Sequence, residues 1–354
     1  MVINMNDLLS MTPAELQDYM LSLNEPRYRA MQLFSQLHRG LSPDEMTNLS
    51  AATKKKIAGS SVCFFPTVRR KLVSALDGTV KYLFSLSDGH CVESVVMRYE
   101  HGLTICISSQ VGCRMGCRFC ASTIGGKVRD LAPGELLGQI ISAQKDLGER
   151  ISGIVLMGIG EPLDNYDNVM KVLRLVGTEG GLNIGYRHIS LSTCGLADRI
   201  DRLAEENLPI TLSVSLHAAD NEARSAIMPV NRSFPIERLM LSCRDYFRKT
   251  GRRISFEYTL IAGKNDSTEA ARRLAELLNR SLRSKTETMP IHVNLIPVNE
   301  VAGTGFTHSG RKAVAAFAAV LERQGIRATV RRTLGADINA SCGQLRRAET
   351  DRPS

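Results

Sequence analysis

Tryptophan is absent and aromatic residues make up only 5% of the chain, which excludes an extended platform on which bases of a single strand stack one after another. No stretch approaches the roughly 20 apolar residues that a membrane-spanning helix needs, so a membrane protein is not expected. Met1 to Ser10 holds no basic segment followed by an apolar block; no signal peptide is expected, and the cytosol is the expected location. Internal repeats and low-complexity tracts are lacking too, which sets aside solenoids and disordered linkers. The nine cysteines among 354 residues are too sparse and too odd in number for a disulfide scaffold, a device of short secreted chains.

What is present is a chain with 43% hydrophobic and 23% charged residues, able to bury a large core, with a formal net charge of +9. An excess of Lys and Arg suits a polyanion partner, because phosphate contacts release counterions; it is equally the charge of a mildly basic enzyme. Length allows one large domain or two ordinary ones.

The first part reads as helical. Thr12-Pro13-Ala14-Glu15 has the form of a helix start, with Thr12 as N-cap and Glu15 closing a capping box. A second helix is expected from Arg27 to Leu37, with Ala30, Leu33, Phe34 and Leu37 on one face and a stop at His38-Arg39-Gly40. Lys54–Lys56 and Arg69–Lys71 are basic clusters, either solvated surface or phosphate contacts. Short strands follow from about residue 76, at Lys81–Leu86 and Val92–Tyr99. Strand and helix then alternate: strands at Thr104–Ser108, Ile154–Met157, His188–Ser192, Ile210–Leu216, Ile254–Leu260, Ile291–Ile296 and Ile326–Arg331; helices over 136–147, 169–175, 219–227, 236–247, 268–282 and 312–324. Repeated β/α units call for a parallel sheet covered by helices. The unusual polar residues, Glu161, Ser192, Thr193, His217 and Asn299, fall at or just past strand C-terminal ends. Convergence from many strand ends favours a partial barrel over an open doubly wound sheet. The expected division is a helical accessory unit over 1–75, a β linker over 76–98, a barrel core over 99–333 and a C-terminal segment over 334–354.

The sharpest signal is Cys113-Arg-Met-Gly-Cys117-Arg-Phe-Cys120. Three thiolates at spacings of four and three can wrap a soft-metal centre. Structural zinc usually takes four ligands, commonly as two separated pairs, and ferredoxin clusters use four cysteines in other spacings. Three ligands in one short loop suit a [4Fe–4S] cluster with one iron left open to an external amino-carboxylate; zinc, or three thiols on a helix face, are the alternatives. Gly158-Ile-Gly160-Glu161-Pro162 follows a strand, where glycines let backbone approach a ligand and Glu161 can accept from an ammonium. Taken alone, His217 would be read as structural; its strand end makes it a binding candidate.

The Cys-x3-Cys-x2-Cys spacing, with Phe119 before the third cysteine, resembles the radical SAM superfamily motif. That likeness implies S-adenosylmethionine (SAM) chelated by the unique iron, and one-electron cleavage of SAM to methionine and a 5′-deoxyadenosyl radical. The Gly158–Pro162 turn resembles the Gly-Glu-Pro motif that meets the SAM amino group, through Gly160 and Glu161; Ser192, Ser215, Leu216, His217 and Asn299 resemble further SAM contacts. More narrowly, Ser108-Ser-Gln-Val-Gly-Cys113, Ser215-Leu-His-Ala218, Asn294-Leu-Ile-Pro-Val-Asn299 and Ser341-Cys-Gly-Gln-Leu345 resemble the dual-specificity ribosomal and transfer RNA adenine-C2 methyltransferases of the RlmN type. Arg29-Ala-Met-Gln-Leu-Phe34 and Asp44-Glu-Met-Thr-Asn-Leu49 resemble that family's N-terminal accessory domain, so the likeness spans residues 12 to 345.

By this resemblance Cys342 carries a methyl group taken from one SAM, a second SAM supplies the radical that activates it, and Cys106 resolves the adduct by forming a disulfide with Cys342. Glu93 matches the family's proton acceptor; Cys63, Cys91, Cys194 and Cys243 match no catalytic position. Adenine C2 lies between two ring nitrogens and is too electron-poor to attack a methyl donor, hence the radical route. The implied partners are an adenosine of the peptidyl transferase centre of 23S rRNA, the adenosine 3′ of the tRNA anticodon and a flavodoxin-type reductant, acting on a monomeric enzyme. The related C8 methyltransferases that confer antibiotic resistance share the cysteines but carry alanine where this chain has Pro162. A zinc-stabilised RNA-binding protein without catalysis is the alternative from another class. Protein purified without oxygen is expected to be brown and to contain iron and acid-labile sulfide; zinc alone would select the non-catalytic alternative.

Overall fold

The computed structural model describes residues 5–284, 289–301 and 304–340. Its main sheet has ten strands, which lie side by side in the order in which the chain makes them. They are β1 (Thr67–Val73), β2 (Val80–Ser85), β3 (Cys91–Tyr99), β4 (Gly102–Cys106), β5 (Ile151–Leu156), β6 (Ile189–Thr193), β7 (Thr211–Ser215), β8 (Ile254–Leu260), β9 (Ile291–Pro297) and β10 (Arg327–Val330). Neighbours from β1 to β4 are antiparallel, and those from β4 to β10 are parallel. A doubly wound sheet reverses its strand order at a switch point, whereas a barrel does not. Here no reversal occurs and β1 does not pair with β10, so six consecutive β/α units form an open, partial barrel.

Helices α1 (Pro13–Ser22), α2 (Arg29–His38) and α3 (Ala51–Ala58) precede the sheet. Thr12 caps α1 with the full capping box, its hydroxyl accepting from the Glu15 amide at 3.2 Å and its own amide donating to the Glu15 carboxylate at 2.7 Å. Helices α4 (Pro133–Leu147), α5 (Tyr166–Gly177), α6 (Ala197–Glu206), α7 (Asn221–Ile227), α8 (Ile236–Thr250), α9 (Thr268–Leu282) and α10 (Arg311–Arg323) make the crossovers. The helical unit docks on α4 by close backbone approach. A Cβ at Gly134 would stand 2.4 Å from Asp7 Oδ2, and one at Gly138 would stand 2.4 Å from Pro66 Cδ. These contacts explain two glycines inside a helix, where each is otherwise destabilising by roughly 0.5–1 kcal/mol relative to alanine.

The alternation of strand and helix matches expectation from Val80 onward except at α6; α3, β1 and a hairpin of two short strands were also not anticipated. The main sheet begins at Thr67, not near residue 76. Strand β1 lies at the sheet edge and is largely exposed, so Arg69, Arg70 and Lys71 replace the apolar alternation that would announce it; such charges protect an edge from further pairing. Helix α6 presents only Ala197, Ile200, Leu203 and Ala204 to the core, a stripe too narrow to stand out from its charged neighbours. Gln110–Gly112 pairs antiparallel with Lys127–Asp130, closing the cysteine loop into a hairpin.

Candidate active site

The loop after β4 carries Cys113, Cys117 and Cys120, and it is not helical, which removes the possibility that three thiols face a helix core. Glycines set its path. Gly112 has φ +79°, and a Cβ there would lie 2.0 Å from the Gly126 carbonyl oxygen; the Cys113 amide donates to that same oxygen at 3.0 Å. The Thr123 hydroxyl donates to the Cys120 carbonyl at 2.9 Å, and the Arg118 amide to Ile227 O at 2.9 Å. All three cysteines line one cavity of about 220 Å³ at the C-terminal end of the strands, together with Gly160, Glu161, Ser192, Ser215 and His217. Burial pushes the Cys113 thiol up to about 12 and raises Cys117 also, so as thiolates they call for a compensating cation.

Glu161 is buried at the turn after β5. Its carboxylate accepts from the Cys194 amide at 2.7 Å and from the Leu163 amide at 3.1 Å, and burial raises its pKa. Gln110 ties this turn to the cysteine hairpin: its Oε1 accepts from the Glu161 amide at 2.8 Å, and its Nε2 donates to Asp130 and Asp164. The glycines of the turn permit protein packing, not only ligand approach. A Cβ at Gly158 would stand 2.4 Å from Ile107 O, and one at Gly160 would stand 2.7 Å from Ser109 Oγ.

His217 follows β7 at φ +59°, a left-handed conformation unusual for a side-chain-bearing residue. Its Nδ1 accepts from the Thr259 amide at 2.9 Å, which assigns the proton of the neutral ring to Nε2. Burial lowers its pKa to about 3, so the ring is neutral at physiological pH. Phe119 meets it edge-on at 4.9 Å, linking the cysteine loop to the β7 end.

One cation binds these loops together. Arg224, fully buried in α7, donates from Nε to Leu216 O at 3.1 Å, from Nη2 to Cys194 O at 2.7 Å and Ser215 O at 3.1 Å, and from Nη1 to Asn231 Oδ1 at 2.9 Å. The ends of β6 and β7 are thus fixed by a single planar fork, which suits several acceptors in a defined geometry.

A second cavity of about 330 Å³ adjoins the first, with Met157, Gly158, Ile296 and Arg331 in the walls of both. It is lined by Glu93, Cys106 and Asn299, and by the chain from Arg331 to Leu334 and Ala340. Cys106 ends β4; burial raises its pKa while Arg331 works in the opposite direction. Glu93 Oε2 lies 3.1 Å from Lys81 Nζ, both side chains being almost wholly buried.

The sequence-derived residues therefore divide between two chambers. Cys113, Cys117, Cys120, Gly160, Glu161, Ser192, Ser215 and His217 share one; Glu93, Cys106 and Asn299 share the other. Leu216 lines neither: its side chain belongs to the hydrophobic core, leaving its backbone as the only part near the site. Cys342 lies outside the described residues. The eight described cysteines are all free, so the disulfide implied between Cys106 and Cys342 is not found among them. Lys81, Arg224, Arg331 and Gln110 were not anticipated. A lysine in the apolar run Val80–Phe84 was the one visible signal; the others meet partners far away in sequence.

No three His, Cys, Asp or Glu side chains among the described residues are grouped to hold a single metal ion. A mononuclear zinc site needs its sulfurs gathered around one point at about 2.3 Å, whereas an iron–sulfur cube takes each thiolate at a different iron. Three all-sulfur donors, spread around one buried cavity, fit the cluster.

A six-unit partial β/α barrel with this three-cysteine loop defines a radical SAM enzyme, and residues 107–275 match the description "Radical SAM superfamily". Residues 6–62 match "Ribosomal RNA large subunit methyltransferase N-terminal domain". The protein named "Probable dual-specificity RNA methyltransferase RlmN" in Lachnospira eligens is 50% identical, covering 97% of this chain and 96% of its own; that of the same name in Clostridium novyi is 47% identical, covering 97% and 98%. The crystal structure of a radical SAM methyltransferase from Sphaerobacter thermophilus superposes with a TM-score of 0.89 at 40% identity, covering 96% of this chain and 98% of that one. The chain belongs to the RlmN family of dual-specificity RNA methyltransferases. Its family uses a [4Fe–4S] cluster and SAM.

Replacing Arg224 with Ala strands several buried carbonyls at once. Urea denaturation under anaerobic conditions is expected to show a loss of roughly 2–4 kcal/mol, the cost of leaving two or more buried acceptors unsatisfied, and a change below about 1 kcal/mol would mean that the fork is dispensable.

Proposed function

We propose that this protein methylates C2 of adenosine in 23S rRNA and in tRNA, through an S-methylcysteine on Cys342. The observation that carries this reading is the pair of adjoining cavities: one lined by Cys113, Cys117 and Cys120, the other by Cys106 and Glu93, with Met157, Gly158, Ile296 and Arg331 between them. Full-length similarity to RlmN relatives supports the choice of substrate, and Pro162 favours C2 over C8.

Cys113, Cys117 and Cys120 hold the cluster, which when bound supplies the electron that cleaves SAM. Gly160, Glu161, Ser192, Ser215, His217 and the backbone of Leu216 position SAM. In this arrangement Glu161 is an acceptor for its ammonium, held in place by two backbone amides. Asn299 reaches it from the second chamber. Cys342 accepts the methyl group by displacement and presents it to the base. Glu93 takes the C2 proton within hydrogen-bond reach, and Lys81, 3.1 Å away, orients that carboxylate. Cys106 then attacks the Cys342 sulfur, forming a disulfide as the base leaves. The reductant is of flavodoxin type, and the basic residues of the helical unit engage RNA phosphate. Among the described residues no helix is long and apolar enough to cross a membrane.

The direct test is anaerobic reconstitution with SAM and reductant, followed by nucleoside mass spectrometry of rRNA and tRNA; 2-methyladenosine in either supports the reading, and its absence from both would overturn it. Cys342→Ala is expected to abolish methylation while leaving iron content and SAM binding intact; product from this variant would rule out the carrier. Cys106→Ala should accumulate a covalent protein–RNA adduct visible on a denaturing gel, because nothing then resolves it. Normal turnover without adduct would remove Cys106 from the reaction.

A further inference from the structure

The last described stretch, 331–340, is mostly exposed, yet it is held at several points. The Arg331 amide donates to Leu295 O at 2.9 Å. The Gly335 amide donates to Asp77 Oδ2 at 2.8 Å, and the Thr79 amide holds the other oxygen of that carboxylate at 3.0 Å. Asp337 accepts from the Ser74 hydroxyl at 2.6 Å and from the Ala75 amide at 2.8 Å. Lys81 Nζ, from inside the sheet, donates to Asn339 O at 2.9 Å. Gly335 lies at φ +60°, where a Cβ would stand 2.6 Å from Ala340 Cβ and 3.1 Å from Thr79 Cγ2; no other residue type fits this turn. The contacts come from the β1–β2 turn and the start of β2, beside the cavity that holds Glu93 and Cys106.

We propose that Ser74, Asp77 and Lys81 form a clasp that positions the C-terminal segment, so that Cys342 meets Cys106 on a short tether. The inference rests on Cys342 and Cys106 being the carrier and its resolving partner. Asn339 is three residues from Cys342. Without the clasp the nearest fixed point is Arg331, eleven residues away. For a flexible tether the effective concentration falls roughly as the −3/2 power of length, so release would lower it about sevenfold. Lys81 has a second duty, since the same ammonium holds Glu93 at 3.1 Å. Tail and proton acceptor are thereby registered to one atom. Ser74, Asp77, Asp337 and Lys81 are positioning residues, acting through Cys342 and Glu93.

The test measures the tether directly. Full-length, cluster-loaded protein is equilibrated without oxygen in glutathione buffers of known ratio, and the Cys106–Cys342 disulfide is counted by peptide mapping. Each disulfide formed consumes one glutathione disulfide and releases two glutathione thiols. The double variant Asp77→Ala with Asp337→Ala, on the exposed side of the clasp, is expected to lower the equilibrium constant, with about sevenfold as the limit set by full release to Arg331, because Lys81 still donates to Asn339 O. Its melting temperature and iron content should stay those of the parent. Gly335→Ala, which breaks the turn from the other side, should give the same shift and serves if the double variant folds poorly. An equilibrium constant equal to the parent's in both, with Cys342→Ala inactive, would overturn the clasp alone. Full methylation by Cys342→Ala would overturn the carrier reading and the clasp together.

Discussion

A guanidinium sealed from water must give its N–H groups to protein acceptors, and at Arg224 those acceptors are the carbonyls that end two neighbouring strands. Cys194 on one side, and Ser215 and His217 on the other, form part of the wall of the cysteine chamber beside those carbonyls. Glu161 is fixed in turn by the Cys194 amide, and the cysteine loop by Arg118 bonding to the end of the same helix. The geometry of the site thus descends from one buried cation whose charge is balanced by backbone dipoles. Parallel strands laid in chain order supply the rest, because that order delivers each following loop to the same end of the sheet.

Two chambers share a wall, and the division has chemical sense. The first is lined by soft sulfur donors and by groups suited to an amino acid: a carboxylate, hydroxyls and a neutral imidazole. The second has a thiol, a buried carboxylate–ammonium pair and an arginine, the equipment for covalent sulfur chemistry and proton movement. Met157, Gly158, Ile296 and Arg331 lie in the walls of both, so under the proposed function a reactive fragment made on one side would have little distance to travel.

The fold was legible wherever burial imposed a period. The β/α alternation, the Thr12 cap and the barrel order all follow from apolar spacing and from the polar residues at strand ends. Among the elements that escaped are two whose burial is slight: β1, which uses charge to guard an edge, and α6, which buries four small or aliphatic residues. At the site, the cysteine spacing carried its own meaning, because the three ligands are neighbours in the chain. Arg224 carried none, since its acceptors lie up to 30 residues away and, apart from Asn231 Oδ1, are backbone atoms that every sequence possesses. Asn299 and Leu216 show the opposite limit: motif position was clear, but only the folded chain could separate a chamber wall from its neighbour, or a side chain from its backbone.

The docking of α1–α3 on α4 has a mechanical consequence. Gly134 and Gly138 bring Asp7 and Pro66 against the helix backbone, and Lys145 of the same helix adds a bond to Gly40 O. Such a joint behaves as a rigid strut. Under the proposed function, RNA gripped by the helical unit would be held at a set offset from the mouth of the barrel, and the unit would act as a gauge of distance.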